Sequence, residues 1–212
     1  MHRVRAGAYL IQAIIGSVLI GTTLYMTLHL QLVLGMAPLM AGLATVVMTV
    51  STLVVVPVFT RLLAVSGPRP LMVGGPLLAA AGMVWLGRIT ADGNYVTQML
   101  PGLILLGAGI GITFVPLQNL ALIGVAPADA GAASATVNAS MQLGGSVGLS
   151  LFALVAASAT ATAQSAGEGI SASLAAGYGL VFTSAAIALL VAAAVAFICI
   201  RGTKEGLMPS HA

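Results

Sequence analysis

The sequence predicts an all-α membrane protein, six transmembrane helices gathered in one bundle, and three observations carry that prediction. First, 59% of the 212 residues are hydrophobic and only 5% charged, where a water-soluble domain carries about a quarter charged residues. Second, apolar runs of roughly the 20 residues needed to cross hydrocarbon recur along the chain. Third, the bases alternate between connections in a pattern that an even number of crossings puts in order. Four acids and seven bases cannot solvate a globule of this length, so lipid is the expected solvent.

The first run, residues 8–30, follows Met1, His2, Arg3 and Arg5. That start resembles a secretory leader, but the apolar stretch outlasts the roughly 7–15 residues of a leader's core, so it reads as a spanning helix. A turn at Gly35-Met36-Ala37-Pro38 opens the second run, 38–59, with Pro57 expected to kink its end. A basic loop from Arg61 to Pro70 leads to the third run, 71–89, and Thr90 to Asn94 link it to the fourth, 96–117. A longer link around Pro127 and Asp129 precedes the fifth, 138–161, and a Gly/Ser/Glu loop from Ser165 to Ser173 precedes the sixth, 175–200. No shift in composition divides the chain, so residues 1–212 are expected to form a single bundle.

Six crossings place Arg3, Arg5, Arg61, Arg69, Arg201 and Lys204 on one side and only Arg88 on the other. Cytoplasmic loops carry the excess of Lys and Arg, so the expected location is the cell membrane, multi-pass, with both termini cytoplasmic. Tyr9, Trp85, Tyr95 and Tyr178 fall near the expected helix ends, at headgroup level. Asp92, Asp129, Glu168 and Glu205 all fall in connections or the tail, so no acid is expected within the membrane, where a charge usually marks function.

The same pattern excludes several functions. Phosphate binding needs bases gathered on one face, and here they stand singly, so no nucleic-acid partner is expected. Cys199 is the only cysteine, which rules out an internal disulfide. Three histidines and four connection acids assemble neither a metal cluster, a nucleophilic triad nor a carboxylate pair. No metal, cofactor or enzymatic activity is therefore expected. The glycines at 102, 107, 109 and 111 lack the spacing, strand and acidic partner of a dinucleotide site. Gly107 and Gly111, and likewise Gly144 and Gly148, read instead as small-xxx-small pairs that let helices approach closely.

Polar residues inside the runs are the candidates for a substrate pathway. Thr22, Tyr25 and His29 share a face of the first helix, with Gln31 following; Asn138 and Gln142 share one on the fifth with Gly145. A lone histidine near a helix end commonly sits at the interface or in a hydrogen bond, and paired carboxamides commonly bind neighbouring helices. Thr45, Thr49 and Thr52 form a stripe on the second helix whose hydroxyls can satisfy their own backbone.

One internal repeat stands out. Ala37-Pro38-x2-Ala41-Gly42-x-Ala44-Thr45 matches Ala126-Pro127-x2-Ala130-Gly131-x-Ala133-Ser134, and Leu30-Gln31 matches Leu117-Gln118 upstream. The copies open the second helix from outside and the fifth from inside, the pattern of a 3+3 inverted repeat.

Four runs in order resemble a known family: Gln31-x3-Gly35-Met36-Ala37-Pro38-x2-Ala41-Gly42-Leu43; Arg61 with Gly67-Pro68-Arg69-Pro70; Gly107-x-Gly109-x-Gly111-x2-Phe114-x-Pro116-Leu117; and Asn138-x3-Gln142-Leu143-Gly144-Gly145. Together they resemble the C-terminal six helices of the fourteen-helix drug–proton antiporter branch of the major facilitator superfamily. The chain departs from that family at two places. Ala64-Val65 stand where an Asp-Arg pair is usual, and Met141 stands where an Arg often precedes the glutamine. Of the family's cytoplasmic gating loop Arg61, Gly67 and Arg69 remain.

The resemblance implies half of a proton-coupled multidrug or small-molecule efflux antiporter. Its partner would be an N-terminal half, in the same longer chain or as a separate subunit, and its cargo hydrophobic or cationic small molecules. Two rival readings are a parallel homodimeric carrier and a truncated non-transporting fragment or membrane assembly subunit.

Overall fold

A computed structural model describes residues 2–122 and 124–200, without the side chains of His2, Arg3, Ala64 and Pro127. Arg201, Lys204 and Glu205 lie outside the described residues. Six long helices account for nearly all of it: α1 (His2–Leu28), α2 (Pro38–Ser66), α3 (Pro68–Leu86), α4 (Leu100–Ala121), α5 (Ala130–Ser165) and α6 (Ile170–Cys199). A π-helical turn, His29–Val33, extends α1, and another, Tyr95–Met99, precedes α4. All six helices are long and apolar enough to cross a membrane.

The helices outrun the apolar runs that announce them. Arg61 sits in the closing turns of α2, and Arg69 in the first turn of α3. The expected loop from Arg61 to Pro70 therefore shrinks to one residue, Gly67. Hydropathy registers the hydrocarbon-facing part of a helix, whereas backbone hydrogen bonding continues through the headgroup layer. Pro68 opens α3 at its first position, where the missing N–H is no loss. For the same reason α5 begins at Ala130 rather than near 138, and α6 at Ile170 rather than near 175.

Gly67 turns the chain at φ 76° and ψ 175°, a region nearly closed to residues with a Cβ. Gly67→Ala is expected to cost about 1–3 kcal/mol, read as a lower unfolding midpoint in mixed micelles. At the other end of the bundle Gly35, at φ 65°, stops the π turn; the N–H of Met36 reaches back to the Leu30 carbonyl over 2.9 Å.

Packing follows the inverted repeat. α1 lies against α5 as α4 lies against α2; α1 lies against α6 as α4 lies against α3; and α3 meets α6 between them. One local device builds both outer pairs. Ser17 on α1 donates to the Gly144 carbonyl of α5 (2.6 Å) while also bonding its own Ala13 carbonyl (3.1 Å). Thr52 on α2 donates to the Gly107 carbonyl of α4 (2.8 Å) while also bonding its own Met48 carbonyl (3.0 Å). Each glycine lies on the facing backbone, Gly144 against Ala13 and Gly107 against Met48. Gly148 and Gly111, one turn on, meet Ser17 and Thr52. The glycines permit the approach, and the hydroxyls satisfy carbonyls in a medium without water.

The symmetry breaks at α2. α5 also packs on α6, but α2 barely touches α3. Only 6% of the spanning window of α2 and 22% of that of α5 is buried, against 44–61% for the other four. Two helices of the bundle thus present most of their surface outward.

Candidate functional site: the outward face of α5 and the polar groups of α1

α5 carries an exposed polar ridge. Ser134, Asn138, Gln142, Ser146 and Ser150 follow one another at four-residue spacing, and all are exposed. Ser146 and Ser150 bond back to the carbonyls of Gln142 and Ser146, each over 3.0 Å. The carboxamides of Asn138 and Gln142 bond to no other described residue. Binding between helices, the commoner role of such a pair, is therefore not what they do in this bundle. Gly145, expected on their face, instead turns inward against Ile20 of α1. Beside the ridge runs an apolar stripe, Leu143, Val147, Leu151 and Leu154, 58–69% exposed. Between this stripe and α1 lies an open groove of about 550 Å³, lined by Leu10, Ala13, Ser17, Leu143, Gly144 and Val147.

The first-helix candidates lie elsewhere. Thr22 is buried and donates to the Met83 sulfur of α3 (3.6 Å). Tyr25 is buried with its ring 5.5 Å from that of Tyr178 on α6. His29, 1% exposed, sets its ring edge-on to Tyr178 at 6.4 Å, and its Nδ1 has no hydrogen-bond partner. Gln31 is half-buried in the π turn. The structure thus groups Tyr25 and His29, but it does not bring them to Asn138 and Gln142.

Two sequence readings change here. Tyr178 does not face lipid: α6 starts eight residues before it, and its ring is buried in the bundle. His29 is buried in the π turn and makes no hydrogen bond through Nδ1.

One polar residue escaped the sequence reading. Gln12 of α1 is 1% exposed; its Nε2 donates to the Met141 sulfur of α5 (3.4 Å) and its Oε1 has no partner. The signal was available, since a carboxamide within an apolar run is unusual. Met141, on which Gln12 rests, is the residue that departs from the resembled family.

Charges keep to the ends. Asp92, Asp129, Glu168 and Arg88 are exposed in connections or beside them. Arg5 and Asp129 line one cleft of about 470 Å³, with Tyr9, Ala126 and Thr136. Of the expected gating residues, Arg61 is exposed and Gly67 buried, while the Arg69 guanidinium lies 4.9 Å from the centre of the Phe197 ring. That contact ties the start of α3 to the end of α6. Among the described residues, no group of His, Cys, Asp or Glu could hold a metal ion.

No protein-family model matches the chain. Among curated proteins it is 40% identical over 153 residues to the puromycin resistance protein pur8 of Streptomyces alboniger, covering 71% of this chain and 30% of that protein. It is 36% identical over 135 residues to the cephamycin export protein CmcT of Amycolatopsis lactamdurans, covering 62% and 27%. It is 33% identical over 134 residues to the multidrug efflux pump LfrA of Mycolicibacterium smegmatis, covering 61% and 26%. The matched segment spans about three-tenths of these relatives, which are named as resistance, export and efflux proteins rather than enzymes. Six helices long and apolar enough to cross a membrane, packed as two inverted triplets, fit half of a major facilitator superfamily bundle, and the relatives are drug and antibiotic resistance exporters of that type.

Proposed function

We propose that the chain forms the C-terminal wall of a proton-coupled exporter of hydrophobic or cationic small molecules, working against a second six-helix bundle. The single observation that supports this most is the polar ridge on α5. A carboxamide facing hydrocarbon without a partner costs several kcal/mol, and α5 turns two of them outward. A water-lined pathway shared with a facing bundle gives Asn138 and Gln142 something to bond. Transporters of this superfamily place substrate between two such bundles that rock about it. The sparsely covered α2 and α5 supply the flanks on which the second bundle rests.

Arg5, Arg61 and Arg69 stand at the end of the bundle where the chain begins, and Arg88 at the other, which by the positive-inside tendency puts the starting end in the cytoplasm. The test replaces Asn138 and Gln142 together with alanine in the exporting assembly, in a drug-sensitive host. Each lost hydrogen bond to cargo is worth about 0.5–1.5 kcal/mol, so drug efflux should fall roughly tenfold with the amount of folded protein unchanged. Unaltered efflux would remove the ridge from the pathway.

A further inference from the structure

We infer that His29, whose ring stands edge-on to Tyr178, is a proton-exchange site of this bundle; the inference rests on the exporter reading above. Two observations converge on it. The imidazole is 1% exposed, and its Nδ1 has no partner. A buried ring nitrogen without a protein hydrogen bond is costly to keep, and it leaves that nitrogen free to take a proton. Second, the backbone at this point is a π-helical turn, His29–Val33, closed by the Leu34 N–H on the His29 carbonyl at 3.0 Å. Such turns occur frequently at functional positions, and this one closes α1 with His29 buried and packed against α6.

Among the described residues the surroundings contain no competing charge. The π turn packs on α1, α6 and α2. From α1 comes Tyr25, with Arg5 and Tyr9 several turns away; from α6 comes Tyr178, with Cys199 at its far end; α2 has only Arg61, near its opposite end. Arg88, Asp92 and Glu168 are exposed, and none of them forms an ion pair with His29. An imidazolium in this closed packing would be a buried, unpaired charge, so the closed form holds the neutral ring. Parting of α6 from the π turn admits water. A proton then adds to a ring nitrogen lone pair, no protein bond breaks, and the same proton leaves to water when the ring is next exposed to the opposite side. Transport supplies the opening, and the solvent on the two sides supplies and takes up the proton. Among the described residues no acid lies within a spanning helix, which leaves the His29 ring as the group of this wall able to take up a proton once water reaches it.

The decisive measurement uses the exporting assembly in lipid nanodiscs with its other histidines replaced, so that His29 is the only histidine, and follows its ring nitrogens by ¹⁵N NMR with and without drug. The inference expects a ring that is neutral without drug and takes a proton on acidification when drug is present, with the Tyr25 and Tyr178 ring signals moving together with it. A ring that stays neutral throughout, or is charged throughout, overturns it. A second measurement uses vesicles carrying the exporting assembly. His29→Asn and His29→Gln should lower drug-driven proton release at least about tenfold while exchange of labelled for unlabelled drug continues. Unchanged proton release in either folded variant overturns the inference but spares the exporter reading. If the wild-type assembly moves no drug at all, the exporter reading fails, and the ring titration alone decides His29.

Discussion

Gly144→Leu should part α5 from α1 and lower the stability of the bundle by about 3 kcal/mol or more, read from reversible unfolding in mixed micelles. A Cβ on Gly144 would land on the Ala13 carbonyl and its neighbouring backbone atoms. Backbone cannot swing aside as a side chain can, so the two helices must separate. Separation also stretches the 2.6 Å bond from Ser17 to the Gly144 carbonyl, leaving a hydroxyl and a carbonyl short of a partner in lipid. Gly42→Leu is the control. Nothing lies within 4 Å of a Cβ built at Gly42, so leucine there should change stability by less than about 0.5 kcal/mol. Equal losses at the two positions would mean that helix composition, and not the α1–α5 approach, sets the cost.

Removing three hydroxyls together, Ser51→Ala, Thr52→Val and Tyr95→Phe, should loosen α2 selectively. α2 leans on α4 and on little else. Its side-chain ties are the bonds from Ser51 to the Ile104 carbonyl (2.8 Å), from Thr52 to the Gly107 carbonyl (2.8 Å), and from Tyr95 to the Ala44 carbonyl (2.6 Å). Hydrogen bonds between membrane helices average about 0.6 kcal/mol and reach about 1.7, so the triple variant should lose roughly 2 kcal/mol. Hydrogen exchange would show faster exchange in α2 while α3, which is held by close glycine contacts to α4 at Gly75, Gly82 and Gly109, keeps its protection. Uniform acceleration across the bundle would contradict the picture of α2 as a helix held from one side.

The helix count, the helix-packing glycines and the inverted arrangement were legible in the sequence because each leaves a local trace. Hydrocarbon thickness imposes run length, and close approach demands small residues four apart. The connections were less legible. Arg61 and Arg69 look like loop residues because charge ends an apolar run, yet a helix persists into the headgroup layer, and Gly67 alone makes the turn. Residue roles were less legible still. Asn138 and Gln142 are the kind of pair that joins helices, and only the packing of α1 on the other side of α5 turns them outward. Gln12 was passed over in the first apolar run, although burial leaves its Oε1 without a partner.

By itself the sequence determined that this chain lives in lipid, crosses it six times and repeats a three-helix unit in opposite orientation, because solvent class and crossing length are properties of composition and spacing. The tertiary structure decided which polar groups face inward and which face out. Facing is a matter of helix rotation, and rotation is set by contacts such as Gly144 on Ala13 and Tyr178 on Tyr25 and His29, which lie more than a hundred residues apart in the chain and leave no mark in any local window.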